Sequence, residues 1–168
     1  DIYTPKILLS SGGLPCEGDS VTVTIEGNYL DYEWQDGTKA NEIIVTEPTE
    51  ISVKLVDTNG CDAFASMKID FLPNPIPRIK SSGRINFCTG DSVRLSTTEN
   101  YNKYDWYSKD NNQLISTASS VVLYQEGEYF VKVANANGCS GISDTVKVIV
   151  RDESNALDFS FSSAKSDF

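Results

Sequence analysis

Four cysteines, two tryptophans and a scatter of aspartates in turn-like contexts are the residues whose chemistry has to be asked about first. The cysteines fall in two contexts, and each context occurs twice. Cys16 and Cys88 open C-E-G-D-S-V and C-T-G-D-S-V, while Cys61 and Cys139 close Asn59-Gly60-Cys61 and Asn137-Gly138-Cys139. An even count in small repeats reads as disulfides. The expected bonds are Cys16–Cys61 and Cys88–Cys139, one inside each repeat. Each would close a loop of roughly 50 residues, for which the chain-entropy model gives about 4 kcal/mol. Structural zinc is the competing chemistry, and the absence of both Cys-x-x-Cys and histidine argues against it. Without histidine the commonest general base is missing, and bonded cysteines leave no nucleophilic thiolate. A carboxylate pair could hydrolyse a glycoside only across a cleft, and no cleft is legible. The chain is read as non-enzymatic, with no cofactor and no metal site.

Asp19 and Asp91, in the two G-D-S elements, could ligate calcium, which takes several carboxylate and carbonyl oxygens. The plainer reading is an aspartate that caps its own turn, and no dense D-x-D-x-D loop is present. Asp36, Asp57 and Asn59 could converge on an ion only if the fold brought them together. Trp34 and Trp106 could be ligand platforms. The plainer reading is a core tryptophan packed on the disulfide of a sandwich domain. Tyr29 and Tyr101 precede a strand and are the candidate ligand contacts, since tyrosine offers a rigid amphipathic surface; local packing is the alternative.

These residues are positioned by an internal repeat, which governs the rest of the reading. Cys16, Asn28-Tyr29 and Trp34 recur 72 residues later as Cys88, Asn100-Tyr101 and Trp106. After the tryptophan the second copy is six residues longer, through Lys109-Asp110-Asn111-Asn112, and Cys61 and Cys139 stand 78 apart. Val21, Val23 and Ile25 alternate with threonines, the period of a half-buried strand. Val93-Arg94-Leu95, Ile51-Ser52-Val53-Lys54-Leu55 and Tyr129-Phe130-Val131-Lys132-Val133 do the same. Met67–Phe71 and Val146–Val150 are the expected last strands of the two copies. Asn-Gly before the second cysteine marks a tight turn. Proline keeps Thr4-Pro5-Lys6-Ile7 and Ile76-Pro77-Arg78-Ile79 at sheet edges.

No segment has a helical period. Roughly six or seven short strands per copy make the fold class all-β, two tandem Ig-like/PKD-like β-sandwich domains with one intradomain disulfide each. The domains are residues 1–72 and 78–151, with a proline-rich linker at 73–77 that favours extended backbone. The tail, 152–168, is polar and repeats nothing; it reads as a linker or, through Asp158-Phe159-Ser160-Phe161-Ser162, as a strand that adds to a neighbour's sheet.

The net charge is −10. Residues 1–72 carry 13 acidic against 4 basic side chains, and residues 73–151 carry 7 against 9. The acidic first domain argues against nucleic acid and anionic membrane as partners. No apolar run is long enough to span a bilayer, and disulfides imply an oxidising compartment. A chain opening at Asp1 with no signal peptide in view suits a segment of a longer exported protein.

The pattern C-x-G-D-S-V, Y-x-W, G-x-Y-x-V-x-V, N-G-C resembles the PKD-like and Ig-like repeats of exported Bacteroidota proteins, over residues 4–151. The second copy matches best, with Glu126-Gly127-Glu128-Tyr129-Phe130-Val131-Lys132-Val133; in the first, Pro48-Thr49-Glu50-Ile51 replaces Gly-x-Tyr. The second cysteine lies past the strand where an antibody-type domain would put it, so neither copy is a true immunoglobulin domain. The resemblance implies a module found in tandem in surface adhesins, gliding-motility adhesins among them, and beside the catalytic domains of secreted hydrolases. Many such parents use type IX secretion and end in a sorting domain, which does not appear here. It supplies no catalytic residues. Asp19-Ser20-Val21, Asp91-Ser92-Val93 and Asp144-Thr145-Val146 resemble the Bacteroidota O-glycosylation signal, which makes Ser20, Ser92 and Thr145 candidate acceptors.

The function expected is a non-catalytic structural or interaction segment of an exported cell-surface protein, a stalk or spacer of an adhesin. The alternative is a carbohydrate- or protein-binding accessory module of a larger secreted enzyme. The expected partners are other domains of the same protein, other surface proteins, or a glycan.

Overall fold

The computed structural model describes residues 4–152, and among them every regular element is a strand. The chain divides into two compact units, Asp1–Asn74 and Pro75–Phe168. The division falls within the proline-rich stretch. The candidate strand at 158–162 lies outside the described residues.

Unit 1 holds β1 (Ile7–Leu9), β2 (Val21–Ile25), β3 (Asp31–Trp34), β4 (Glu42–Val45), β5 (Thr49–Val56) and β6 (Asp62–Ile69). They form two three-stranded antiparallel sheets, in the orders β1-β2-β4 and β3-β5-β6. The alternation of Val21, Val23 and Ile25 turns those three side chains inward, where they meet Trp34, Ile51, Val53, Leu55 and Ile69 of the facing sheet. Residues i and i+2 of a strand share a face, so the threonines between the valines point the other way.

Unit 2 holds β7 (Ile79–Ser81), β8 (Asn86–Cys88), β9 (Val93–Thr97), β10 (Lys103–Ser108), β11 (Gln113–Ser116), β12 (Ser120–Leu123), β13 (Gly127–Ala134), β14 (Ser140–Ile142) and β15 (Val146–Arg151). One sheet runs β12-β9-β7; the other runs β11-β10-β13-β15-β8, with β14 also on β13. β8 and β15 pair in parallel, the rest of the ladders antiparallel. Val93, Leu95, Trp106, Val131 and Val148 make the centre of its core. Pro5 and Pro77, at the repeated openings, are both buried, and β1 and β7 are sheet edges.

The six extra residues of the second copy make a hairpin rather than a slack loop. Asn112 adopts φ 51°, Asn111 Oδ1 accepts from the Gln113 N–H, and Ser108 stands opposite Gln113. Asparagine tolerates this left-handed conformation, and the result is β11. In the first copy the chain turns at once: the Trp34 N–H donates to Thr38 O and the Asp36 carboxylate accepts from the Thr38 N–H.

The intradomain disulfides are not made. In unit 1 the last strand starts at Asp62, directly after Cys61, and not at Met67. Cys16 instead stands in parallel register with Leu72, beyond the far end of that eight-residue strand. Eight residues of strand span about 26 Å, whereas bridged cysteines have Cα atoms within about 7 Å. Cys61 accordingly carries a free thiol. Unit 2 repeats the geometry. Ala134 opposite Ser140 sets Cys139 at one end of β13, and Gly127 opposite Val148, with Arg151 opposite Cys88, sets Cys88 beyond the other. That separation exceeds about 23 Å. Cys16 and Cys139 are each in disulfide linkage.

Candidate functional site

The N-G-C turns are built alike in the two units. In the first, Asp57 Oδ1 accepts from the N–H groups of Asn59 and Cys61, both at 2.8 Å, while the Asp57 N–H donates to Cys61 O. In the second, Asn135 Oδ1 accepts from the N–H groups of Asn137 and Cys139, both at 3.0 Å, and the Asn135 N–H donates to Cys139 O. Gly60 and Gly138 take φ 81° and 86°, a region open to glycine and costly for residues with a Cβ. These bonds, the one from Cys61 above all, hold the Asp57 carboxyl below the usual carboxylate range.

Of the aspartates offered as ion ligands, Asp19, Asp36 and Asp57 accept hydrogen bonds within their own turns, and the Asp91 N–H donates to Cys88 O. Asp19 Oδ2 accepts from the Cys16 N–H at 3.2 Å. The Thr38 N–H draws the Asp36 carboxyl below its ordinary pKa. Among the described residues no three His, Cys, Asp or Glu side chains gather as a metal site.

Trp34 and Trp106 are core residues, 1% and 0% exposed. Their indole N–H groups donate to Ala40 O at 2.9 Å and Ala118 O at 3.0 Å, which satisfies the single polar atom of each buried ring. Neither is a platform. Tyr29 and Tyr101 are half-buried and pack against the two cores. Each stands edge-on to the next tyrosine, Tyr29 to Tyr32 at 5.9 Å and Tyr101 to Tyr104 at 6.1 Å between ring centres. Ser20, Ser92 and Thr145 are exposed, each immediately before a strand.

A different set of residues forms a surface. On β10 the neighbour of buried Trp106 is Tyr107, and on β13 Phe130 lies between buried Tyr129 and Val131, so both rings face solvent. They stand opposite one another in register and stack, with centroids 5.3 Å apart and an interplanar angle of 13°. Leu114 of β11 is opposite Tyr107 and extends the row to the sheet edge. The neighbouring row is Asp105, Lys132 and Ile142. Lys132 Nζ sits 5.0 Å from the centre of the Tyr107 ring, within cation–π range. Leu114 is 46% exposed and Ile142 61%. Apolar side chains grouped on a solvated face mark interaction sites more often than scattered ones do.

Unit 1 keeps part of this face. Glu33, Lys54 and Phe64 occupy the places of Asp105, Lys132 and Ile142. Lys54 pairs with Asp62 at 2.9 Å, a bond that raises the lysine's pKa. Gln35 and Ser52 replace the aromatic pair, and Gln35 Oε1 accepts from the Ser52 N–H at 2.8 Å. Sequence reasoning passed over Tyr107, Phe130 and Lys132. The available signal was alternation itself, since a bulky aromatic at an outward register position calls for a reason.

Unit 2 also carries a hydrogen bond typical of Ig-like sandwiches: the buried Tyr129, near the start of β13, donates its hydroxyl to Gln125 O at 3.1 Å. Burial, more than the nearby Asp110 charge, raises its pKa. In unit 1 the corresponding residue is Ile51, which has no hydroxyl.

In each unit two sheets pack over a buried tryptophan, and in unit 2 this tyrosine completes an Ig-like all-β fold. Residues 75–151 match the family described as Ig-like domain, CHU_C associated. No curated protein sequence matches the chain. Among solved structures it is similar to murine CEACAM1b, at 11% identity and TM-score 0.43, covering 87% of this chain and all of that one. It is also similar to the fibronectin(III)-like modules of Clostridium thermocellum CbhA, at 10% identity and TM-score 0.44, covering 88% of this chain and 95% of that one. A third is the mouse nectin-like molecule 4 ectodomain, at 13% identity and TM-score 0.40, where 92% of this chain matches and spans 66% of that chain.

Proposed function

We propose that the chain is a non-catalytic structural and interaction segment of an exported Bacteroidota cell-surface protein, serving as a stalk or spacer of an adhesin. The observation that carries this reading is where the repeated residues lie. The shared tryptophans fill the two cores, and the N-G-C and G-D-S elements build turns. A repeat maintained for architecture suits a spacer, whose work is to hold a distal surface at a distance. The Ig-like family match of unit 2 and the disulfide linkage of Cys16 and Cys139 support an extracellular setting. The test is limited proteolysis of intact cells. Peptides from 75–151 released from the surface are the expected result; peptides recovered only after lysis refute it.

The second reading, a binding module, is favoured by the Leu114, Tyr107 and Phe130 row. Saturable binding to a glycan array or to a surface protein, weakened at least tenfold by Tyr107→Ala with Phe130→Ala, would establish it over the spacer. Ser20, Ser92 and Thr145 are proposed O-glycan acceptors on exposed backbone before strands. An unmodified intact mass from the native source would refute that assignment.

A further inference from the structure

We propose that Cys61 is a docking thiol, which forms a disulfide with a cysteine of another repeat held as Cys16 is held, in a C-x-G-D element beside the end of a last strand. Cys61 is exposed and free. The partner expected inside its own unit is out of reach, because β6 separates Cys61 from the Leu72 end where Cys16 lies. The independent observation is in unit 2. The same turn, with the same pair of side-chain hydrogen bonds and the same left-handed glycine, presents Cys139, and Cys139 is disulfide-bonded and 1% exposed. Cys16, in the other context, is disulfide-bonded too. Both contexts therefore enter disulfides in this chain.

The turn suits the task. Asp57 fixes the N–H groups of Asn59 and Cys61, and the Asp57 N–H donates to Cys61 O. A cysteine held at both backbone ends loses little further freedom when its sulfur is bonded. The chemistry is thiol–disulfide exchange with a donor disulfide, glutathione disulfide or an oxidoreductase. The Cys61 thiolate attacks one donor sulfur and the other leaves as a thiol. The incoming cysteine's thiolate then attacks the Cys61 sulfur of the mixed disulfide and expels the second donor thiol. Two protein thiols are oxidised to one disulfide, and the donor disulfide is reduced to two thiols.

The proposal rests on the reading of the chain as repeats in series, and one experiment separates the two. The protein is shaved from cells of its native source in N-ethylmaleimide, digested without reduction, and its linked peptides are sequenced. The expected product joins the Cys61 peptide to a peptide containing C-x-G-D from outside unit 1. A partner peptide from the present sequence identifies a second copy; one foreign to it identifies a neighbouring repeat of a longer chain. Maleimide on Cys61 in shaved protein, or a bond from Cys61 to Cys16 or to a cysteine in any other context, overturns the proposal and leaves the surface reading intact. Failure to shave the protein at all overturns the reading instead. Cys61→Ser removes the linked species, with the melting temperature of unit 1 expected to stay within about 2 °C of wild type, a surface substitution's usual effect.

Discussion

Removing the Tyr129 hydroxyl isolates one interaction that unit 2 has and unit 1 lacks. Tyr129→Phe deletes the donor to Gln125 O and leaves the ring, which is 6% exposed, in place. A neutral hydrogen bond contributes about 0.5–1.5 kcal/mol net, and an orphaned buried partner costs more. Gln125 is an exposed residue, so water can take up the abandoned acceptor, and a loss of about 1 kcal/mol follows. For a unit of this size that is a fall of about 5 °C in melting temperature. Hydrogen exchange should assign the loss to unit 2: protection drops at Val131 and Val133 and is unchanged at Val53 and Leu55 of unit 1.

Burial raises the Tyr129 pKa above its ordinary value of about 10. A group whose folded pKa is raised contributes stability that is complete below the unfolded pKa and is lost as pH climbs through the folded one. The gap between wild type and Tyr129→Phe should therefore hold steady from pH 7 to 9 and close above about pH 10. Calorimetry on both proteins across that range reads it directly. A variant as stable as wild type at pH 7, or a gap still constant at pH 11, would refute the reasoning.

Four further substitutions test other parts of the structure. A Cβ added at Gly141 would stand 1.8 Å from Pro75 O and 2.9 Å from Pro75 C. Gly141→Ala should therefore cost about 3 kcal/mol, the upper end of overpacking, seen as a lower urea midpoint for unit 2. Gly60→Ala and Gly138→Ala should each cost about 1 kcal/mol because both turns need positive φ; equal stability in denaturant melts would show that the turns relax. The Asp57 carboxyl, lowered chiefly by the Cys61 N–H, stabilises its turn above the ordinary carboxylate pKa and stops doing so as pH falls through the lowered folded value. Asp57→Ala should remove that acid-side dependence from unit 1. The turn of unit 2, where Asn135 takes the same two hydrogen bonds, should show no titration of its own by amide chemical shifts between pH 2 and 7.

The repeat, the strand alternation and the burial of both tryptophans were legible in the sequence, because each is a local pattern of side-chain type and spacing. Val21, Val23 and Ile25 announce their face by themselves. The cysteine pairing was not legible, and in the first copy the reason can be traced to one boundary. The last strand of the first copy, expected at Met67–Phe71, left residues 62–66 unassigned between Cys61 and that strand. Strand β6 instead starts at Asp62, with Ala63, Ala65, Met67 and Ile69 turned inward. Two alanines carry little hydrophobic signal, so this half of the strand was hard to read. Strands β8 and β14, three residues each, were missed because so short a segment has no period to detect.

The solvent faces carry the difference between the units. At equivalent register the acid, lysine and apolar residue of one row recur, as Glu33, Lys54 and Phe64 and as Asp105, Lys132 and Ile142. The row beside it does not recur: Gln35 and Ser52 hydrogen-bond across unit 1, where Tyr107 and Phe130 stack across unit 2. The extra hairpin then places Leu114 at the end of that aromatic row. An insertion needed only to connect two strands could have been polar throughout. Here it widens one sheet and lengthens its apolar row at the same time, which is the change expected if unit 2 meets a partner on this face and unit 1 does not. Replacing Leu114, Tyr107 and Phe130 in turn, while monitoring both binding and melting, separates a contact surface from a stabilising one: contact residues alter affinity at constant stability, and packing residues do the reverse.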